Sequence, residues 1–302
     1  MSATLLLLAA CITIPTMIAS TIITPGAKLQ RLATGYSFTE GPAADADGDV
    51  YFTDQPNDRI IKWVPDENGL GGNVQEWLKP AGRSNGMRFD HHGNIISCAD
   101  ELNQLWSIAP DKKATVLVKD FEGKLLNGPN DVWIRPDGGM YFTDPLYERP
   151  YWKRDPKVQQ SGEQVYFVSA DHKTVNQVTQ DLTKPNGIIG TPDGKDVYVA
   201  DIGANVTYRY KVQLDGTLTE KKLFCSLGSD GMTIDDEGNV YLTGHGVTVF
   251  NKFGAQIEHI DVPEGWSANI AFAGRDFHTL FITASESIYG IRMRVRGASH
   301  LK

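Results

Sequence analysis

Three cysteines in 302 residues leave no basis for a disulfide framework. Cys98 and Cys225 fall inside strand-like runs and read as reduced core thiols. No Cys/His cluster has the spacing of a structural zinc site. A Gly-x-Ser-x-Gly elbow is also missing, which speaks against a serine nucleophile. Positive charge is scarce: 29 Lys and Arg face 37 Asp and Glu, for a net charge of −8, and no basic stripe forms. Nucleic acid and anionic membrane surfaces are therefore poor partners, and no protein partner is implied. The segment MSATLLLLAACITIPTMIASTIITPG has no charge at all. Residues 1–25 read as an apolar export leader, which predicts a periplasmic or secreted protein. Leu8-Ala9-Ala10-Cys11 has the form of a lipoprotein box, so a lipid anchor through Cys11 is the alternative. Against export stand an n-region without Lys or Arg and the lack of a clear cleavage site; against lipidation, the apolar run continues past Cys11.

What the chain does have is repetition. EGPAADADGDVYFTD from Glu40 is followed by NGMRFDHHGNIISCAD from Asn85 and NDVWIRPDGGMYFTD from Asn130. NGIIGTPDGKDVYVAD starts at Asn186 and DGMTIDDEGNVYLTG at Asp230, and a degenerate NIAFAGRDFHTLFITA starts at Asn269. The starts lie 45, 45, 56, 44 and 39 residues apart. Each copy holds two β-rich runs around a Gly-containing turn, such as Pro136-Asp137-Gly138-Gly139, and so reads as a hairpin. A third short β run follows every hairpin, and a fourth follows in five repeats. The sixth repeat runs out of chain, but KLQRLA, ahead of Glu40, can supply its missing strand. The pattern predicts an all-β, six-bladed β-propeller over residues 26–302, with four-stranded blades and the last blade completed by the N-terminal strand.

In a propeller the first strand of each blade lines the central channel, so the six repeat heads gather at one mouth. They are Glu40, Asn85, Asn130, Asn186, Asp230 and Asn269. Asp54, Asp100, Asp144 and Asp201, with Gly244 and His245, end the second strands on the same face. Asn-Gly and Asp-Gly are common turn formers, and a repeated head can be a structural cap. The break in symmetry favours function: one head is Glu and another Asp among asparagines. Two carboxylates and several amide carbonyls are hard oxygen ligands that suit Ca²⁺, Mg²⁺ or Mn²⁺.

The ordered set FTEGP (38–42), LNGPNDVWIRPDGGMYFTDPLY (126–147), KPNGIIGTPDGKDVYVAD (184–201), SDGMTIDDEGNVYLTG (229–244) and SANIAFAGRDFHTLFITASESIY (267–289) resembles the gluconolactonase, regucalcin (senescence marker protein) and luciferin-regenerating-enzyme family, bacterial gluconolactonases above all. That resemblance implies one divalent cation, Ca²⁺ first with Mg²⁺, Mn²⁺ or Zn²⁺ as alternatives, held by Glu40, Asn130, Asn186 and Asp230. Asn85, Asn127 and Asp131 are candidates for touching a lactone substrate or supporting the ligands. Where animal members carry a substrate-contacting arginine two residues before the ND pair, this chain has Gly128. The third repeat is also longer, near PLYERPYWKRDPKVQQSG, and Tyr147, Tyr151 and Trp152 are candidates for a wall over the site or for a plain surface loop.

The function implied is hydrolysis of a sugar lactone to the aldonic acid, with Asp230 first and Glu40 second as the catalytic carboxylates and His245 as a free-standing candidate base or substrate contact. Two alternatives stay open: a related metal-dependent phosphotriesterase or arylesterase, and a non-catalytic propeller that binds sugar or protein.

Overall fold

The computed structural model describes residues 22–154 and 158–298. The apolar leader, with Cys11, lies outside the described residues except at its last few positions.

β1 (Gln30–Thr34) comes first in the chain. Blade one is β2 (Thr39–Ala44), β3 (Val50–Asp54), β4 (Arg59–Pro65) and β5 (Gly72–Leu78). Blade two is β6 (Ser84–Phe89), β7 (Ile95–Ala99), β8 (Gln104–Ile108) and β9 (Ala114–Val118). Blade three is β10 (Val132–Ile134), β11 (Met140–Asp144), β12 (Gln164–Val168) and β13 (Val175–Gln177). Blade four is β14 (Pro185–Gly190), β15 (Asp196–Asp201), β16 (Val206–Val212) and β17 (Leu218–Cys225). Blade five is β18 (Met232–Ile234), β19 (Val240–Gly244), β20 (Gly246–Phe250) and β21 (Gln256–Ile260). Blade six is β22 (Ser267–Ala273), β23 (Thr279–Ala284) and β24 (Ser287–Arg292), with β1 as its outer strand. The protein is a six-bladed β-propeller of four-stranded antiparallel blades, as the repeat predicts.

β1 pairs antiparallel with β24, from Gln30 opposite Gly290 to Thr34 opposite Ser287. This joins the two ends of the described chain in one sheet and covers the edge that β24 would otherwise expose. The first two strands of each blade are almost wholly buried and the fourth is mostly exposed. The core therefore lies between neighbouring blades. Phe52 and Trp63 of blade one meet Phe281 of blade six at ring-centroid distances of 5.8 and 5.2 Å. Trp133 of blade three lies so close to blade four that a Cβ on Gly190 would sit 2.0 Å from its ring. Removing one such buried aromatic costs about 3–5 kcal/mol. Cys98 and Cys225 are free and buried, as expected.

Candidate functional site

Three of the heads, Glu40, Asn85 and Asn186, stand at a local break in their strand. The register of β2 shifts between Glu40 and Ala43, that of β6 between Ser84 and Met87, and that of β14 between Pro185 and Ile188. A bulge of this kind re-aims a side chain that regular pleating would direct elsewhere. The glycine after a head has a packing reason. A Cβ on Gly86 would sit 2.4 Å from the Asn130 carbonyl and 2.6 Å from Asp131 Oδ1; one on Gly231 would sit 2.0 Å from the Asn269 side chain. These glycines let the head of one blade rest against the head of another.

Threonines on the second strands lock the arrangement. Thr143 Oγ1 donates to the Asn186 carbonyl at 2.7 Å and accepts from the Asp131 N–H at 3.1 Å. Thr243 Oγ1 donates to the Ala268 carbonyl at 2.9 Å, and Thr283 Oγ1 accepts from the Asn269 N–H at 3.0 Å. The threonines of the blade-three YFTD, of YLTG and of FITA thus tie those three hairpins to the heads around them, whereas Thr53 Oγ1, in the YFTD of blade one, is buried without a hydrogen-bond partner. The motifs stand out in the sequence, but this use of them does not.

Glu40 and Asp230 come from blades one and five, yet they share one buried environment. Burial raises the Glu40 carboxyl well above the usual carboxylate range, and the charges of Asp230 and Asp131 add to the rise. Its Oε2 accepts from the Gly41 N–H at 2.5 Å and from Asn269 Nδ2 at 3.0 Å. Burial pushes Asp230 up to about 6. Hydrogen bonds from Trp266, at 2.6 Å to Oδ2, and from Asn186 partly offset that rise. Asp131 is also pushed up to about 6 by burial, against the pull of Arg88. It is fully buried, and its oxygens accept from the N–H groups of Val132 and Ile188, so it belongs to the floor of the ring.

Asn186 Nδ2 donates to Tyr147 Oη at 3.0 Å, while Asn186 Oδ1 is buried with no hydrogen-bond partner. Asn85 Oδ1 and Asn127 Oδ1 are likewise buried and unpartnered. An unpaired buried acceptor costs about 1–3 kcal/mol, so such groups call for an occupant. Two carboxylates that resist sharing one space, beside orphaned amide oxygens, have the chemistry of a hard-cation site. Among the described residues no group of three or more His, Cys, Asp or Glu gathers closely enough to hold an ion, so a cation here would draw on amides as well. Asn130 is buried at the head of blade three, and its carbonyl accepts from the Gly86 N–H at 2.7 Å.

Asn127 shapes the loop before β10. Its Nδ2 donates to the carbonyls of Asp144 and Gly162, at 3.1 and 2.9 Å. His245 is exposed and packs edge-on against Trp266, with ring centroids 5.3 Å apart. That indole in turn donates to Asp230. Trp266, one residue ahead of β22, escapes sequence reasoning; its place just before a repeat head is the available signal.

The long connection of residues 145–163 joins β11 to β12 on the same face. Besides the Tyr147 contact, Tyr151 Oη donates to Asp100 Oδ2 at 2.7 Å and Trp152 Nε1 to the Asp100 carbonyl at 3.0 Å. The aromatic residues are thus tied to the mouth as a wall. Asp100 departs from its counterparts. Asp54, Asp144 and Asp201 each accept two backbone N–H groups from the loop entering their own blade. Asp100 instead takes Gln55 Nε2, Arg149 Nε and the Tyr151 hydroxyl. Gly128 has no room for a side chain, since a Cβ would sit 2.8 Å from Asp100 Oδ1 and 3.3 Å from the Trp152 ring.

At the hairpin end of the channel lies a separate cavity of about 1000 Å³, lined by Trp77, Phe89, His91 and Trp133 among others. Arg88 is among its lining residues. Its guanidinium donates to the carbonyls of Pro42, Met87 and Met232, reaching across from blade two to blades one and five.

Comparison with known proteins bears on the family and the fold. The family model described as SMP-30/Gluconolactonase/LRE-like region matches residues 18–286. A gluconolactonase of Zymomonas mobilis is 25% identical, with 91% of this chain and 84% of that protein covered. A solved structure of a gluconolactonase from Xanthomonas campestris superimposes with a TM-score of 0.81 at 27% identity, covering 90% of this chain and 91% of that one. A calcium-binding protein, regucalcin, from Agrobacterium tumefaciens has the same fold, with a TM-score of 0.70 at 18% identity over 87% of this chain and 92% of that one. The chain belongs to the SMP-30/gluconolactonase/LRE-like family.

Proposed function

We propose that this protein hydrolyses a sugar lactone to its aldonic acid with the help of one divalent cation, Ca²⁺ in the first place, held by Glu40, Asn130, Asn186 and Asp230. The observation that carries the reading is the pair of buried carboxylates, Glu40 and Asp230, brought together from separate blades beside the unpartnered Asn186 Oδ1. The gluconolactonases among its relatives supply the reaction class.

A cation bound at these oxygens supplies Lewis-acid polarisation of a lactone carbonyl, worth several kcal/mol of barrier. The chain's own groups do the rest. Water adds to the carbonyl carbon, the ring C–O bond breaks, and the proton lost by water ends on the released hydroxyl or in solvent. Asp230, with its carboxyl at about 6, is ionised at neutral pH and able to accept that proton. Glu40 is held in place by Gly41 and Asn269. Tyr147 and Trp152 wall the mouth against bulk water. Asn85 and Asn127 offer unpartnered acceptors to substrate hydroxyls. Export through the leader, with or without a lipid on Cys11, belongs to the same reading.

The test is a pH-stat assay on D-glucono-1,5-lactone with added Ca²⁺, then chelator, then Ca²⁺ restored. Acid release above the spontaneous rate, lost and regained with the ion, is the expected result. Release at the background rate with the ion present would favour a binding propeller. Preference for an aryl ester or phosphotriester in a parallel panel would favour the related hydrolase.

A further inference from the structure

The geometry points to Arg149, on the long connection of blade three, as the residue that selects polyhydroxylated lactones over plain alkyl lactones, by donating its two Nη groups to ring hydroxyl oxygens. This rests on the lactonase reading above.

Arg149 Nε donates to Asp100 Oδ2 at 2.9 Å, and its guanidinium lies 5.6 Å from the centre of the Tyr147 ring. Tyr147 in turn holds Asn186. The charge of Arg149 is felt at Asp230. Its side chain is 27% exposed, and neither Nη hydrogen-bonds any described residue. Asp100 has given up the loop-capping work of Asp54, Asp144 and Asp201 to hold this one residue and its neighbours. The result is a part-exposed guanidinium anchored by one N–H, with both Nη groups of its planar fork left for a ligand.

Charge decides what the fork receives. Arg149 already faces Asp100, and Glu40, Asp131 and Asp230 stand nearby. An anionic substituent would enter a field that is negative without a cation and still negative with a divalent one. A pair of neutral hydroxyl oxygens, spaced as on adjacent carbons of a sugar ring, meets the two Nη donors without that conflict. A site built to bond hydroxyls discriminates strongly against a ring that lacks them.

The test compares wild type, Arg149→Met and Arg149→Lys, each first shown to retain its melting temperature within a few degrees. The ratio of kcat/KM for D-glucono-1,5-lactone over δ-valerolactone is expected to fall about 10- to 100-fold in Arg149→Met, mainly through KM. Arg149→Lys keeps a cation for Asp100 but not the fork, and its ratio should fall between the two. Binding of 1,5-anhydro-D-glucitol, a ring polyol that cannot be hydrolysed, is read by saturation-transfer NMR and should weaken in parallel. An unchanged ratio, a parallel loss on both lactones, or polyol binding that is absent from wild type or unaffected by the variants would overturn the assignment. Polyol binding lost in Arg149→Met while no variant hydrolyses any lactone would uphold Arg149 and sink the lactonase reading.

Discussion

Replacing Asp230 by asparagine should stabilise the metal-free protein while removing its activity. The carboxyl of Asp230 has an ordinary value of 3.8 and is pushed up to about 6, chiefly by burial. The folded protein therefore binds this proton more tightly than the unfolded chain. The stability that follows is complete below the unfolded value and is lost as pH rises through the folded one. In free energy, the ionised group costs the fold about 1–2 kcal/mol near pH 5 and about 3 kcal/mol near pH 7.5. Asparagine keeps an oxygen for the Trp266 N–H, which now bonds Oδ2 at 2.6 Å, and has no charge to bury. Thermal melts in excess chelator should show Asp230→Asn melting above wild type, by about 5 °C near pH 7.5 and by less near pH 5. Adding Ca²⁺ should raise the wild-type melt and leave the variant where it was, with lactone turnover absent from the variant. A variant that melts at or below wild type at both pH values, with the gap independent of pH, would refute the reasoning, because the burial cost on which it rests would not be there.

Three further changes probe the neighbours of that group. Glu40→Gln should weaken cation binding by about two orders of magnitude, as expected for about 3 kcal/mol lost with one buried ion contact; calorimetric titration with Ca²⁺ reads it. Trp266→Phe removes a hydrogen bond that lowers the Asp230 carboxyl, so the acid limb of the kcat/KM profile should move to higher pH. A limb that stays or moves down would detach Trp266 from the chemistry. Thr143→Val leaves the Asn186 carbonyl and the Asp131 N–H short of a buried partner, at a cost of about 1–3 kcal/mol each, and urea unfolding should show a loss of about 2–6 kcal/mol.

The fold is legible because a propeller writes its period into the chain. Hairpin turns such as Pro136–Gly139, β-rich runs on either side of them, and a spare KLQRLA ahead of Glu40 are enough to place the blades and the ring closure. The site is legible only in part. Repeat register puts Glu40, Asn85, Asn130, Asn186, Asp230 and Asn269 at one mouth without geometry. It cannot say that Asn269 turns its amide on Glu40, or that Trp266 reaches Asp230. Those contacts join side chains from different blades or from connecting loops, which a linear pattern cannot express. Arg88 is hidden for the same reason: it stands inside a strand, and only ring closure brings the Met232 carbonyl opposite its guanidinium. The four aspartates that end second strands look alike in sequence, yet three cap loops and Asp100 anchors the blade-three connection. The reason is the added length of that repeat, which brings Arg149 and Tyr151 within reach.

Crystals grown with Mn²⁺ and measured near its absorption edge test the cation most directly. The account predicts one strong anomalous peak on the channel axis, bounded by oxygens of Glu40, Asn130, Asn186 and Asp230. A mouth without a peak at saturating Mn²⁺, or a peak that leaves Glu40 and Asp230 uncoordinated, would contradict it.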